Sequence, residues 1–124
     1  MGIITKEPEK MLAFYRDALG LKYLGIFNMP DGGTMYRLSC GTSMIKIVVQ
    51  SKEPPAVAPP GGLSGATGYR YWTISVDNIE AAVQACEDAG FKITVPVFEL
   101  IPGVTISMIE DPDGNWVELV QTSS

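Results

Sequence analysis

The sequence contains no histidine. Histidine is the commonest side-chain proton shuttle near neutral pH, so its absence excludes Ser-His and Cys-His catalytic pairs. Any general acid or base must therefore be Asp, Glu, Lys, Tyr or Cys. Zinc sites in proteins draw mainly on His and Cys, so the missing histidines also make a zinc site less favourable.

Cysteine and basic residues are scarce as well. The two cysteines, Cys40 and Cys86, lack metal or redox spacing, and we expect two buried thiols rather than a disulfide. Nine basic residues face 14 acidic ones, a net charge of −5 that argues against a nucleic-acid partner. No apolar run approaches the ~18 residues that cross a bilayer, so no membrane partner is expected. Without a basic-then-apolar N-terminal pattern, we predict a cytoplasmic protein.

The segment from Glu110 to Val120 is the most informative part of the chain. A polar turn, Asp111-Pro112-Asp113-Gly114, precedes an apolar strand that contains one carboxylate, Glu118. A carboxylate within an apolar strand is costly to bury unless another group pairs with it. Glu118 is therefore the first candidate for a functional site.

The chain of 124 residues fits one domain made of two related halves. An offset of 71 lays Glu9 on Glu80 and Asp17 on Asp88; deleting Leu19 then keeps the glycines at 20 and 90 aligned. We predict repeats at 1–50 and 69–122, joined by a Pro- and Gly-rich linker at 51–68 that is either a plain tether or a functional lid or crossover.

Each half has the pattern of a short strand, an amphipathic helix and three strands. The helices show core-facing stripes at i, i+3, i+4 and i+7, and Gly20 and Gly90 stand where left-handed residues end helices. The sequence therefore predicts an α+β protein of two βαβββ modules. A half of about 50 residues has difficulty burying a core alone, so we expect the modules to pair into a curved sheet cleft. The strands are predicted near residues 1–5, 21–28, 34–39, 43–49, 71–76, 91–98, 104–110 and 116–121.

Three segments give the chain a resemblance to a known family. They lie at residues 9–21, 76–82 and 111–119, the last reading Asp-Pro-Asp-Gly-Asn-Trp-Val-Glu-Leu. With the internal repeat, they resemble the vicinal oxygen chelate (VOC) superfamily, which includes glyoxalase I, bleomycin-resistance proteins, extradiol dioxygenases and methylmalonyl-CoA epimerase. The resemblance covers nearly the whole chain and implies the glyoxalase/bleomycin resistance-like fold, but one fold hosts many chemistries and the reaction is not fixed.

The resemblance also implies where metal ligands would lie. Glu118 matches the last family ligand, Lys46 holds the equivalent place in the first repeat, and Tyr71 stands where the second repeat often has His. The remaining His position falls one residue before Met1, so either the chain begins just past it or this branch never used it. An ammonium has no lone pair at neutral pH and repels a divalent cation. We therefore expect no family-type metal cofactor, with a divalent metal held chiefly by Glu118 as the alternative.

The same comparison suggests catalytic and ligand-binding residues. If the modules pair as in the family, Lys46 and Glu118 face each other, either as a structural ion pair or to orient a polar substrate or transfer a proton. Tyr71 is the third candidate catalytic residue. Strand alternation places further side chains on the same strand faces as Lys46, Glu118 and Tyr71. Arg37 can contact an anionic ligand, unless it is a solvated residue at a sheet edge. The predicted ligand-binding residues are Trp116, Met44, Arg37, Thr73, Ser75 and Val120.

Three functions remain open at this point. The favoured interpretation is a metal-free small-molecule-binding protein, similar to resistance proteins that sequester a drug. The alternative is a metal-dependent lyase, isomerase or dioxygenase whose first ligand lies upstream of Met1. The third is an assembly module, since exposed strand edges permit association, and family members often form homodimers.

Overall fold

The computed structural model describes residues 1–123. These residues form two compact units, one of residues 1–58 and one from residue 59 onward. Both units have the predicted order of strand, helix and three strands, and the α+β fold class is confirmed. Over the described residues, no helix is long and apolar enough to cross a membrane. The elements are β1 (Gly2–Ile4), α1 (Pro8–Leu12, continuing as a π-helical segment, Ala13–Ala18), β2 (Lys22–Asn28), β3 (Thr34–Cys40), β4 (Ser43–Val49), a 3-10 turn (Gly62–Ser64), β5 (Tyr71–Ser75), α2 (Ile79–Asp88), β6 (Lys92–Ile101), β7 (Val104–Glu110) and β8 (Trp116–Thr122).

The two sheets have the same topology. The first is ordered β1-β4-β3-β2 and the second β5-β8-β7-β6. In each sheet the opening strand pairs in parallel with the last strand of its unit, and the other pairs are antiparallel. The two halves that resemble each other in sequence therefore also share one strand order.

The helices differ because the first contains one extra residue. After Leu12 the chain widens into the π-helical segment, in which the amide of Leu19 donates to the carbonyl of Phe14. α2 remains α-helical and begins at Asn78, whose side chain accepts a hydrogen bond from the amide of Ala81. A π-bulge adds a single residue to a helix, which explains why the repeats align only when Leu19 is deleted.

One face of each sheet packs against the helix of its own unit. In the first unit Phe14 and Tyr15 meet edge to face, with ring centroids 4.7 Å apart. In the second unit Val117 and Leu119 are fully buried, and Cys86 of α2 is buried with them. Both cysteines are free, but only Cys86 is buried; Cys40 is half-exposed, so the expectation of two buried thiols holds for one. The other face of each sheet carries the candidate functional residues.

Candidate functional site

Glu118 lies on the helix-free face of the second sheet, because its neighbours Val117 and Leu119 occupy the buried face. Across the strands its register partners are Thr73 on β5 and Met108 on β7. The hydroxyl of Thr73 donates a hydrogen bond to Oε1 of Glu118, over 2.8 Å. Glu118 is half-buried, and this bond satisfies part of its hydrogen-bonding capacity.

Aromatic side chains occupy the next row of the same face. Tyr71 pairs in register with Trp116, and Trp116 pairs with Glu110. The indole Nε1 of Trp116 donates to Oε1 of Glu110 over 3.3 Å, while Tyr71 is 47% exposed. Tyr71 therefore lies one row away from Glu118, and Thr73 occupies the register position beside the carboxylate.

An apolar row completes this face on the far side of Glu118. Ser75 pairs with Val120, and Val120 pairs with Ile106. Ser75 is exposed, Val120 is half-buried, and Ile106 is 8% exposed. The face therefore presents a carboxylate–hydroxyl pair between an aromatic row and an apolar row, which is the mixed polarity of small-molecule sites.

A segment preceding β5, residues 60–65, covers the indole of Trp116; we name it the strap. At Gly62 the backbone lies so close to the indole that a Cβ would overlap Cε2 and Cδ2 of Trp116. Arg70 holds the strap in place: its Nε donates to the carbonyl of Gly62 over 2.7 Å and its Nη2 to that of Pro60 over 3.1 Å. This part of the predicted linker is thus attached to the second unit, and its Pro- and Gly-rich composition did not indicate that contact.

The turn before β8 is built around Asp111, which is 3% exposed. Its Oδ1 accepts hydrogen bonds from the amides of Asp113 and Asn115, over 2.9 and 3.0 Å, and both of its oxygens accept from the side-chain amide of Asn115. Gly114 adopts a φ of 86°, a left-handed conformation that favours glycine. These contacts fix the start of β8 and so the direction in which Trp116 and Glu118 point.

The remaining predicted residues lie on the first sheet. Lys46 and Met44 of β4 are exposed, on the face opposite the buried Ile45 and Ile47. Arg37 of β3 is half-buried and pairs in register with Lys46. The first unit thus brings Arg37 and Lys46 together, and the second unit brings Thr73 and Glu118 together. The predicted approach of Lys46 to Glu118 would join the two units and stays a prediction.

The residues beside Glu118 in its own sheet do not supply the donors of a family-type metal site. Among residues 1–123, no group of three or more His, Cys, Asp or Glu side chains could hold one. Around Glu118 the register neighbours are a hydroxyl and a thioether, and zinc, iron and manganese sites need about three or four N, O or S donors of suitable type.

Two reactive groups have environments that shift their ionisation. Burial raises the pKa of the Cys86 thiol to about 11 and also raises that of the Cys40 thiol. Both thiols are therefore mainly protonated near neutral pH, and neither has the lowered pKa of a catalytic nucleophile.

Comparison with known proteins assigns the family. The sequence model of the Glyoxalase/Bleomycin resistance protein/Dioxygenase superfamily matches residues 1–119. The chain belongs to this superfamily. Lactoylglutathione lyase of Schizosaccharomyces pombe is 30% identical, with 94% of this chain and 42% of that protein covered. A probable lactoylglutathione lyase of a Synechocystis species is 28% identical, with 94% and 88% covered.

The solved structures agree with this assignment at the level of fold. A glyoxalase family protein from Bacillus cereus superposes with a TM-score of 0.83 at 17% identity, covering 100% of this chain and 92% of that one. The chain spans less than half the length of the Schizosaccharomyces pombe relative but most of the Synechocystis one. The match to the superfamily model and the shared fold together confirm the predicted superfamily.

Proposed function

We propose that this protein binds a small molecule on the helix-free face of the second sheet, without the metal site of its family. The observation that carries the proposal is the Thr73–Glu118 hydrogen bond, set between the Tyr71–Trp116 row and the Val120–Ile106 row. A carboxylate held by a hydroxyl can accept hydrogen bonds from a ligand, and the aromatic and apolar rows supply contact area.

Residues of the first unit complete the proposed set. Arg37 and Met44 would contact the ligand, and Lys46, Glu118 and Tyr71 are the candidates for any proton transfer. A homodimer is proposed on the basis of the family resemblance, and the cytoplasmic location stays a prediction. The names of the relatives concern those proteins, and a lyase activity of this chain is the competing proposal.

A ligand screen by thermal unfolding tests the binding proposal. A ligand that binds only the folded protein raises the unfolding midpoint. The compounds that do so are then titrated into Glu118→Gln and Thr73→Val. Glu87→Gln is the matched control, because Glu87 is exposed on α2 and loses the same charge. Weaker binding in the first two variants alone supports the site; equal binding in all three places the ligand elsewhere.

Metal analysis and one enzyme assay decide between binding protein and lyase. Purified protein is analysed for zinc, nickel, iron and manganese, and lactoylglutathione lyase activity is measured with each metal added. Stoichiometric metal together with metal-dependent activity would replace the binding proposal with the lyase. Metal-free protein without activity is the result that the donor set around Glu118 leads us to expect.

A further inference from the structure

Two cations stand side by side on the helix-free face of the first sheet. Lys46 of β4 and Arg37 of β3 are register partners, and the same row continues to Gly2 on β1 and Gly25 on β2. The row across the sheet is thus Gly2, Lys46, Arg37, Gly25. A Cβ at Gly2 would meet nothing within 4 Å, so no side chain crowds Lys46 from that side.

Like charges placed directly opposite each other on neighbouring strands destabilise a sheet. Within the first unit neither Arg37 nor Lys46 forms an ion pair: the ion pairs there join Lys6 to Glu53 and Arg16 to Asp17. Most acidic residues of the chain also belong to the second unit rather than to the first. Residues 1–58 carry seven basic and five acidic residues, whereas residues 59–124 carry two and nine.

The backbone around Arg37 orients its guanidinium. The pairing of β2 with β3 shifts register between Tyr23 and Gly25, so Leu24 forms a bulge, and its carbonyl accepts a hydrogen bond from Nη2 of Arg37 over 3.2 Å. Gly25 has a φ of 112°, and a Cβ there would stand 3.6 Å from Nη2. Bulges often redirect a side chain beside a functional site. Here the carbonyl exposed by the bulge fixes the guanidinium through its Nη2 atom.

The guanidinium of Arg37 has hydrogen-bonding capacity left. Nε of Arg37 is buried and has no hydrogen-bond partner in the described part of the chain. A buried donor without a partner costs about 1–3 kcal/mol of stability. Nε has almost no accessible surface, so an oxoanion reaches it only if the covering groups move aside; an anion held at the exposed part of the pair would offset the repulsion between Arg37 and Lys46.

We propose that Arg37 and Lys46 form a binding site for an oxoanion, the carboxylate or phosphate group of a small-molecule ligand. This deepens the proposed small-molecule binding by naming the chemical group that the first unit takes, and to that extent it rests on that proposal. In the equivalent row of the second sheet, Thr73, Glu118 and Met108 stand where Gly2, Lys46 and Arg37 stand in the first. The carboxylate of Glu118 repels an anion, so the equivalent row of the second sheet does not offer the same site.

The test uses inorganic phosphate and succinate as probes. Each is titrated into the full chain at constant ionic strength, maintained with sodium chloride, and 1,4-butanediol serves as the uncharged analogue of succinate. The variants are Arg37→Met, Arg37→Lys and Lys46→Met. Lys52→Met is the matched control, because it removes the same charge from an exposed position in the same unit.

We expect at least one of the two anions to bind the parent protein and butanediol not to bind. Lys46→Met and Arg37→Met should weaken anion binding at least about tenfold, as expected for the loss of a charge-assisted hydrogen bond. Arg37→Lys should weaken it as well, since an ammonium cannot replace the planar fork. Lys52→Met should bind as the parent does. Which anion binds more tightly then distinguishes a phosphate from a carboxylate ligand.

Two results would overturn the anion site. One is no binding of either anion to the parent; the other is equal weakening in Lys52→Met, which would reduce the effect to net charge. Lys46 is exposed, so its variant should fold even if Arg37→Met does not. If the anions fail while uncharged compounds from the ligand screen still bind through Glu118, this inference is wrong and the proposed function stands. If anions bind at Arg37 and Lys46 while no screened ligand depends on Glu118, the proposed function fails instead.

Discussion

Replacing Gly62 with alanine should destabilise the protein through its contact with Trp116. Gly62 has a φ of 55°, and an added Cβ would overlap the indole, as the geometry of the strap shows. A left-handed alanine costs about 1–2 kcal/mol, and forcing a methyl group into an occupied space costs about 1–3 kcal/mol. If the strap instead detaches, its two hydrogen bonds from Arg70 are lost, at about 1.5–3 kcal/mol each. We expect a loss of about 2–5 kcal/mol in the free energy of unfolding, because the strained but attached strap is the less costly of the two outcomes.

Gly68→Ala separates the two contributions. Gly68 has a φ of 95°, and nothing lies within 4 Å of a Cβ built there. Its replacement should cost only the backbone term, about 1–2 kcal/mol. Urea unfolding followed by far-ultraviolet circular dichroism measures both variants, and the near-ultraviolet spectrum reports the surroundings of the indole. Equal losses for the two variants, with an unchanged near-ultraviolet spectrum, would refute the claim that the strap packs on Trp116.

Three further predictions concern single side chains. Thr73→Val removes the hydroxyl bonded to Glu118 and should lower the free energy of unfolding by about 0.5–1 kcal/mol in urea titrations, because the bond is partly exposed; an unchanged value would mean that water replaces it fully. Asp111→Ala leaves the turn amides of Asp113 and Asn115 without their acceptor and should cost about 2–4 kcal/mol, whereas a loss below about 1 kcal/mol would contradict a structural role for the carboxylate. Cys86 should resist alkylation in the folded protein at pH 8 while Cys40 reacts slowly, as mass spectrometry of trypsin fragments would show. Because the folded pKa of Cys86 is raised to about 11, its protonated form stabilises the fold below the ordinary thiol pKa, and this stability should decrease between about pH 9 and 11.

Local sequence patterns predict the fold well because they report the conformation of the backbone at turns, helix ends and strands. Turn residues such as Gly114 and the glycines after both helices adopt the expected positive φ, and the strand bounds differ from the predicted ones mainly at the ends. The π-helical widening of the first helix was not predicted, since apolar spacing does not distinguish it from a regular α-helix; the only trace in the sequence is the deletion at Leu19.

The candidate site was less predictable because it depends on strand register. Sequence comparison names Glu118 and Tyr71, but register places Thr73 rather than Tyr71 beside Glu118. The adjacency of Arg37 and Lys46 likewise follows only from the pairing of β3 with β4. The attachment of the strap depends on contacts from Gly62 and Arg70 that no local pattern encodes. The sequence therefore identified candidate residues, but it did not identify the side chains that lie beside them in the folded protein.

Calorimetric titration of a screened ligand into chelator-treated protein tests the central claim most directly. The claim is that the face around Glu118 binds a small molecule without a metal ion. We predict that the ligand binds with the same affinity before and after treatment with EDTA, and that Glu118→Gln weakens this binding. Binding that disappears with EDTA and returns on addition of zinc, nickel, iron or manganese would contradict the claim and indicate a metal site of the family type.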